Sequence, residues 1–491
     1  MIFTTLALHQ ARRWHPDEAF YMTIARNAAI HGDWMLVSEP LDKPPFSYYS
    51  NALALVFLGI KSDENGVLFL DVYQGEFAGR IPSLLMSVLL VAVIIAIAKS
   101  VWRDDWRSAA IAGVFAALSP LRIVFAATAF TDIPMLLFAT LALWMALRGK
   151  WGWSGIWFMM SLAAKPQSIF YAPVLIGIGI LQMRQSRNCK QGLIRFAFAV
   201  GLGIIILWLW DAMRVNMGAS SFWQLGQAYY TPTQITAFAD YPRRIGELWA
   251  TVQYLFGQGI ITTFFLIVAA INTIRRRNDL GLLFLAWLLG FLILHIALTL
   301  NLFDRNLLLL LPVASVLVGR AFSTPSASTN ISQKIPIYQF RAQCLAPLQS
   351  PRHFFVFVIQ GGGVLICAVF GFIAATGAYN IGGDDGRHDG IDDVANYLNS
   401  KPIATVIYDR WLDWELDYYM GEWTNKRRVY YPTAQQLVNG ARQLEESGTR
   451  YFVVPTIQNV SDWLNALSSS GFEITIDYES YHFRIYALQL P

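Results

Sequence analysis

Residues 81–98 read IPSLLMSVLLVAVIIAIA, a run without a single charged side chain. A helix rises about 1.5 Å per residue, so about 20 apolar residues cross a hydrocarbon core of roughly 30 Å. Length and composition therefore predict a membrane-spanning helix at this position. Three other runs meet the same criterion, namely residues 255–274, 280–303 and 353–380.

The whole chain has the composition of a protein that is embedded in lipid. Of its 491 residues, 55% are hydrophobic and 14% are charged, whereas about a quarter of the residues of a soluble protein are charged. Six weaker candidate spans are residues 108–126, 132–147, 153–164, 168–183, 193–213 and 306–319. We interpret the short apolar residues 1–11 as the last turns of a first helix whose beginning is missing or was assigned incorrectly. The sequence thus predicts an all-α polytopic membrane bundle of about 11 transmembrane helices.

The charges of the loops predict the orientation of this bundle. Lys and Arg predominate in alternate loops, at residues 99–107, 148–152, 184–192, 275–279 and 320–352. The positive-inside rule places these loops in the cytoplasm and residues 14–80 and 214–254 outside. We expect a multi-pass protein of the bacterial inner (plasma) membrane. The net charge of +4 reflects this asymmetry and gives no evidence of nucleic-acid binding.

The composition becomes more polar after residue 380. Strand-like and helix-like patterns then alternate, at residues 404–408 (strand), 433–446 (helix), 451–454 (strand), 460–469 (helix) and 472–476 with 482–486 (hairpin). Such alternation is typical of an α/β domain. We therefore predict a transmembrane domain at residues 1–380 and a small extracytoplasmic α/β domain at residues 381–491.

The first exterior loop, residues 14–80, carries the strongest chemical signal. It contains HPDEAFY at residues 15–21, GDW at 32–34 and DKPP at 42–45. Asp17 and Glu18 follow Pro16, so they can simply complement the dipole at the start of a helix, which is worth some tenths of a kcal/mol. That interpretation does not account for Lys43, whose direction is restricted by the two prolines after it.

Four further charged residues lie at the predicted outer ends of spans, namely Asp132, Lys165, Asp304 and Arg305. A charge near the bilayer centre costs about 2.5–3.5 kcal/mol on insertion, so such groups are seldom incidental. Taken alone, Asp132 can be a helix cap, and Arg305 can be an interfacial side chain that reaches water. Four such groups on one membrane face indicate a shared site instead.

Taken in order, these motifs resemble a known family. DEAFY, GDW and KPP resemble the first loop of the GT-C lipid-linked-sugar glycosyltransferases, which include protein O-mannosyltransferases and the aminoarabinose transferase that acts on lipid A. FAGRIPS at residues 77–83, TDIP at 131–134 and FDRNLL at 303–308 resemble the same class. The motifs run from about residue 12 to 320, and residues 381–491 contribute nothing to them. The resemblance implies a GT-C-like fold.

The resemblance also implies roles for three residues of the first loop and for Asp132. Asp17 corresponds to the family's catalytic acid, which is expected to act as general base on an acceptor hydroxyl, and Glu18 completes the motif. Asp132 resembles the family's second acid, which assists the first or positions the acceptor. Lys43 is expected to face the donor phosphate.

Two further matches depart from the family pattern. Lys165 resembles a lysine in a Thr-Lys-Gly segment, but Pro166 stands in place of the glycine. Arg305, which follows Asp304, resembles the arginine of an Asp-Arg-Tyr segment whose tyrosine is replaced by asparagine here. We expect Lys165, Asp304 and Arg305 to contribute to substrate binding.

The resemblance implies a polyprenyl-phosphate sugar as donor, with its prenyl chain between helices, and a lipid, glycan or protein hydroxyl as acceptor. We expect membrane lipids as further partners. A single displacement of this kind inverts the anomeric centre. Lys43, Lys165 and Arg305 can neutralise the departing phosphate, and a carboxylate such as Asp17 can take the hydroxyl proton.

The carboxylates of Asp17, Glu18, Asp132 and Asp304 are hard ligands that can hold a divalent cation. Since lysine and arginine can supply the same neutralisation, we expect no obligatory metal or other cofactor. Two alternative functions remain open from the sequence. Intramembrane charges on many spans also suit a transporter or lipid flippase, and a non-catalytic relative could bind the same polyprenyl lipid.

Overall fold

The computed structural model describes residues 1–10, 12–102, 105–185, 189–229, 233–323, 351–379, 386–421, 423–443 and 449–489. Internal contacts divide the chain into two compact units. The first unit comprises Met1–Gln10, Glu39–Ser47 and Ile81–Gly382. The second unit comprises Ala11–Ser38, Tyr48–Arg80 and Gly383–Pro491.

The helices of the described residues are α1 (Ile2–Leu8), α2 (Pro16–His31), α3 (Phe46–Leu58), α4 (Val72–Val101), α5 (Trp106–Leu118), α6 (Pro120–Ala126), α7 (Asp132–Leu147), α8 (Trp151–Ala164), α9 (Ala172–Gln185), α10 (Cys189–Asn216), α11 (Phe222–Tyr229), α12 (Tyr241–Val252), α13 (Ile260–Arg276), α14 (Asp279–Ala297), α15 (Asp304–Leu307), α16 (Leu311–Ala321), α17 (Pro351–Ala375), α18 (Ile391–Asn399), α19 (Asp413–Met420), α20 (Ala434–Gln443) and α21 (Ser461–Ser469). The strands are β1 (Ile60–Ser62), β2 (Leu68–Leu70), β3 (Val406–Asp409), β4 (Arg427–Tyr430), β5 (Arg450–Pro455), β6 (Glu473–Glu479) and β7 (Phe483–Gln489).

Several helices have the length and apolar composition of membrane spans. Within the described ranges, four qualify singly, namely Val72–Val101, Pro166–Arg184, Lys190–Asn216 and Asp279–Ala297. The number rises to six if each of two bent pairs is counted as one span, namely Trp106–Leu118 with Pro120–Ala126 and Phe238–Leu255 with Ile260–Arg276. The predicted helical bundle with several apolar helices is thus confirmed, while the count of about eleven spans stays a prediction.

Several of the predicted spans differ from the observed helices. The run 255–274 is divided by a bend of 84° before α13, where Gly259 takes a φ of +57° that favours glycine. The run 280–303 is helical only to Ala297, after which Leu298 is extended. The run 108–126 bends by 57° between α5 and α6.

The bend between α5 and α6 has a clear cause. Pro120 has no backbone N–H to continue α5, and its neighbour Ser119 caps the new helix instead. The side chain of Arg122, which is 1% exposed, donates to the carbonyl oxygens of Ala116 and Ala117 at 2.8 and 2.5 Å. The guanidinium thereby pairs carbonyl groups that the helix end would otherwise leave unsatisfied.

An antiparallel hairpin of α7 and α8 positions the charged residues of the first unit. Gly149, with a φ of +69°, makes the turn between the two helices. The hydroxyls of Ser154 and Ser161 each donate at 2.8 Å to carbonyl oxygens of α7. Because the helices run in opposite directions, the start of α7 and the end of α8 meet at the same end of the hairpin.

The C-terminal part of the second unit contains a five-stranded sheet in the order β4-β3-β5-β7-β6. Strand β3 is parallel to β4 and β5, whereas β7 is antiparallel to β5 and β6. Tyr408, Phe452 and Leu488 form a buried core with helix residues Leu437 and Leu467. The hairpin predicted at residues 472–476 and 482–486 corresponds to β6 and β7.

Candidate functional site

A buried ion pair joins the start of α7 to the end of α8. Lys165 Nζ lies 2.6 Å from Asp132 Oδ1, and the two residues are 3% and 1% exposed. The second carboxylate oxygen, Asp132 Oδ2, is buried without a hydrogen-bond partner among the described residues. The hairpin thus brings together two residues that the sequence analysis singled out separately, and it leaves one acceptor oxygen available.

The backbone conformation of Lys165 sets the direction of its side chain. The residue lies between the end of α8 at Ala164 and the 3₁₀ turn Pro166–Tyr171, with φ −159° and ψ 128°. This extended conformation is the one that a following proline imposes. Burial lowers the pKa of Lys165 to about 8, although Asp132 acts in the opposite direction. The charge of Asp132 thus favours the ammonium form, which burial alone would disfavour.

Two further cations act electrostatically on Lys165. Arg305 and Lys43 both lie close enough to lower its pKa by charge repulsion. The Arg305 guanidinium lies over the rings of Phe130 and Phe303, 5.1 and 5.0 Å from their centroids. These aromatic contacts fix the direction of a side chain that would otherwise reach freely into solvent.

Lys43 is held by a separate set of contacts. Its ammonium forms an ion pair with Asp42, and the residue is 9% exposed. Phe46, three residues later, packs edge-on against Phe138 of α7 at 4.9 Å between ring centroids. This contact anchors the Lys-Pro-Pro segment on the same helix that begins with Asp132.

The first unit thus contains Lys165 with two further cations, Lys43 and Arg305, within electrostatic range of it. We refer to these three residues as the cationic cluster. Asp304 lies beside it, where its carboxylate accepts the backbone N–H of Arg305 at 2.7 Å. Clustered ammonium and guanidinium groups of this kind bind phosphate through charge-assisted hydrogen bonds.

Asp17 and Glu18 belong to the second unit, in the first turn of α2. The backbone N–H of Asp17 donates to His15 Nδ1 at 3.2 Å, and the N–H of His15 donates to Glu18 Oε2 at 3.1 Å. This reciprocal arrangement is a capping box. Glu18 is 3% exposed, whereas Asp17 is half-buried. The geometry favours a positioning role for Glu18 and leaves Asp17 as the more accessible carboxylate.

A tyrosine from the C-terminal part of the chain holds the residues before α2. The backbone N–H of Trp14 donates to the hydroxyl of Tyr419 at 2.7 Å, and that hydroxyl donates to Glu76. Arg13 Nη1 lies 3.0 Å from both carboxylate oxygens of Glu76. Burial, reinforced by Glu76, raises the pKa of Tyr419 well above its ordinary value, so the hydroxyl keeps the proton that it donates.

A second anchor lies further along α2. Arg26 Nη2 donates to Asp417 Oδ2 at 2.8 Å, and Arg26 Nη1 donates to the carbonyl oxygens of Asp417 and Tyr418. Phe20 packs edge-on against Trp414 at 4.6 Å. These contacts could not be predicted, because the local sequence of α2 carries no information about a partner almost four hundred residues away.

No group of three or more His, Cys, Asp or Glu side chains within the described ranges is placed to hold a metal ion. Asp17 and Glu18 lie in one unit, and Asp132 and Asp304 lie in the other. The expectation that no metal is obligatory stays a prediction.

Comparisons with known proteins identify the fold. Residues 67–210 match the family model of dolichyl-phosphate-mannose-protein mannosyltransferases. The crystal structure of ArnT from Cupriavidus metallidurans bound to undecaprenyl phosphate is similar over 99% of this chain and 96% of that chain, with a TM-score of 0.65 and 14% identity. The chain has the GT-C glycosyltransferase fold.

Two other structures agree with this assignment. ArnT from C. metallidurans in the apo state gives a TM-score of 0.63 at 15% identity, with the same coverage. The Archaeoglobus fulgidus oligosaccharyltransferase, tethered with an acceptor peptide, gives 0.52 at 12% identity over 92% of this chain and 68% of that chain. No curated protein sequence matches the chain significantly.

The GT-C similarity extends beyond the motifs that suggested it. The family model includes Asp132 and Lys165 but not Asp17, Lys43 or Arg305. The similarity to ArnT spans nearly the whole chain, and it therefore includes the C-terminal α/β residues, to which no sequence motif gave a place. The motifs did not predict the similarity of these C-terminal residues, because a fold can be retained in a sequence that contains none of the family's short motifs.

The ion pair predicts a specific pattern of stabilities. Asp132→Asn and Lys165→Met should each lower the free energy of unfolding by about 3–5 kcal/mol, because each leaves one buried charge unpaired. The double variant should recover most of that loss, since it leaves no buried charge. Thermal unfolding in detergent measures this.

The exposed pair Arg243–Glu247, with an N–O distance of 2.6 Å, supplies a matched control. Arg243→Gln should change stability by less than about 1 kcal/mol. Single variants of the buried pair that behave like this control would contradict the assignment.

The Tyr419 hydroxyl predicts a local effect on the start of α2. Tyr419→Phe leaves the Trp14 N–H without its partner, a loss of about 1–3 kcal/mol for a group left unsatisfied, whereas Glu76 keeps its contact with Arg13. Hydrogen–deuterium exchange of a peptide covering residues 12–31 should therefore become faster. Tyr481→Phe, at an 88% exposed position, is the matched control. Equal exchange in both variants would show that the hydroxyl does not hold α2.

Proposed function

We propose that this protein is a membrane glycosyltransferase that takes a sugar from a polyprenyl-phosphate donor and transfers it to an acceptor hydroxyl. The observation that carries the proposal is the cationic cluster around the Asp132–Lys165 pair. The GT-C fold supports it, and so does the undecaprenyl phosphate bound to ArnT, a protein of similar fold.

The cationic cluster acts on the donor. When the bond between the anomeric carbon and the phosphate oxygen breaks, the electron pair stays on that oxygen and the polyprenyl phosphate gains negative charge. Lys165, Lys43 and Arg305 stabilise this charge where it develops. Asp132 acts through Lys165 by holding its ammonium in place, and its free Oδ2 can accept a hydrogen bond from a substrate hydroxyl.

Asp17 acts on the acceptor in this proposal. Its carboxylate takes the proton of the hydroxyl while the hydroxyl oxygen forms its bond to the anomeric carbon. A single displacement of this kind inverts the configuration at that carbon. Glu18 and His15 position Asp17 through the capping box of α2.

The proposal places the reaction at the bacterial inner (plasma) membrane, on the extracytoplasmic side, where the loop charges put residues 14–80. The acceptor is a hydroxyl of a lipid, a glycan or a protein. We expect the reaction to need no divalent cation, because the cationic cluster neutralises the phosphate.

The test is transfer of radiolabelled sugar from a panel of undecaprenyl-phosphate sugars by the purified full-length chain. Asp17→Asn should lower kcat by about 10²–10⁴-fold with donor binding retained, because a general base contributes that much. Lys165→Met should weaken the binding of undecaprenyl phosphate. Added EDTA should leave the rate unchanged.

The matched controls are Asp462→Asn and Lys61→Met, at exposed positions outside the cationic cluster and the capping box of α2. Both should leave turnover within about twofold of wild type. Turnover that is indifferent to Asp17→Asn would contradict the base assignment. Retained binding of undecaprenyl phosphate without turnover of any donor would favour the non-catalytic alternative. The absence of both turnover and undecaprenyl-phosphate binding would favour a transporter.

A further inference from the structure

A groove with a volume of about 910 Å³ runs along α8 and α10 in the first unit. The two helices touch closely beside it, since a Cβ on Gly155 would lie 2.7 Å from the Phe196 carbonyl oxygen and one on Gly203 would lie 1.9 Å from Met159 Cγ. The volume falls within the range of about 300–1,000 Å³ that is typical of small-molecule sites.

The walls of this groove are apolar and open outward. Ile156, Leu202 and Phe198 line it, and they are 43%, 47% and 70% exposed. Helix α10 is also one of the long apolar helices with the composition of a membrane span. Side chains of this kind on a spanning helix face hydrocarbon, so the groove is accessible from the lipid phase.

The charged side chains of the lining lie at one end of the groove. They are Lys150, which directly precedes α8, and Arg195, in the second turn of α10. Both are exposed, and neither forms an ion pair with any residue that the structure describes. Trp153 lines the same end, and tryptophan is typical of the level of the lipid headgroups. One apolar groove with one cationic end matches an amphiphile with an anionic head.

We propose that this groove binds an anionic glycerophospholipid of the surrounding bilayer. An acyl chain lies against Ile156, Leu202 and Phe198, and the headgroup phosphate lies at Lys150 and Arg195. Basic residues at the ends of membrane helices attract anionic lipids of the adjacent leaflet in this way. By the loop charges, that leaflet is the cytoplasmic one.

This lipid is distinct from the proposed sugar donor. Lys150 and Lys165 flank the two ends of α8, whose 14 residues separate them by about 21 Å at about 1.5 Å per residue. The phosphate that binds at Lys150 therefore cannot contact the cationic cluster. The inference holds whether or not the proposed transfer reaction does.

The test is native mass spectrometry of the purified full-length chain, titrated with dioleoylphosphatidylglycerol or dioleoylphosphatidylcholine. The double variant Lys150→Gln/Arg195→Gln should bind phosphatidylglycerol about 10- to 30-fold more weakly, with phosphatidylcholine unaffected. Leu202→Trp enlarges a 47% exposed side chain that lines the groove and keeps both cations, so it should lower the binding of both lipids.

The matched control is Arg148→Gln/Arg184→Gln, which removes two exposed cations that do not line the groove. It should bind phosphatidylglycerol within about twofold of wild type. An equal loss in both double variants would mean that diffuse surface charge attracts the lipid, and this would overturn the proposal. Wild-type binding in Leu202→Trp would overturn it, as would displacement of phosphatidylglycerol by undecaprenyl phosphate at lower concentration.

Discussion

The buried contact between Lys165 and Asp132 is the interaction on which the charge distribution of the first unit depends. Removing either charge from water costs several kcal/mol, and only the opposite charge at short distance compensates for that cost. The α7–α8 hairpin provides this distance because the start of one helix meets the end of the other. Arg305 and Lys43 lie within electrostatic range of Lys165, so positive charge collects at one place.

The second unit holds the Asp17 carboxylate at the start of α2. Glu18 is buried in the capping box, while Asp17 remains half-buried beside it. Tyr419 holds the backbone just before this helix, and Arg26 ties the helix to Asp417 further along. The C-terminal part of the chain, for which the sequence suggested no role, thereby supports the segment that carries the proposed base.

Residue identity proved more predictable than residue partnership. Asp132 and Lys165 could be identified from the sequence because each lies at the end of an apolar run, where inserting a charge into the membrane costs free energy and such residues are usually functional. The contact between Trp14 and Tyr419 could not be predicted, since 405 residues separate them and no local pattern names the partner. The bend at Gly259 was missed for a similar reason. Residues 255–274 form an uninterrupted uncharged run, and hydrophobicity gives no information about the φ angle of a residue within it.

An experimental structure of the full chain with undecaprenyl phosphate would show directly whether the cationic cluster binds the phosphate. We predict a phosphate oxygen within about 2.7–3.2 Å of Lys165 Nζ, with Lys43 or Arg305 as a second contact. A phosphate bound away from all three residues, for example at Lys150 and Arg195, would contradict it.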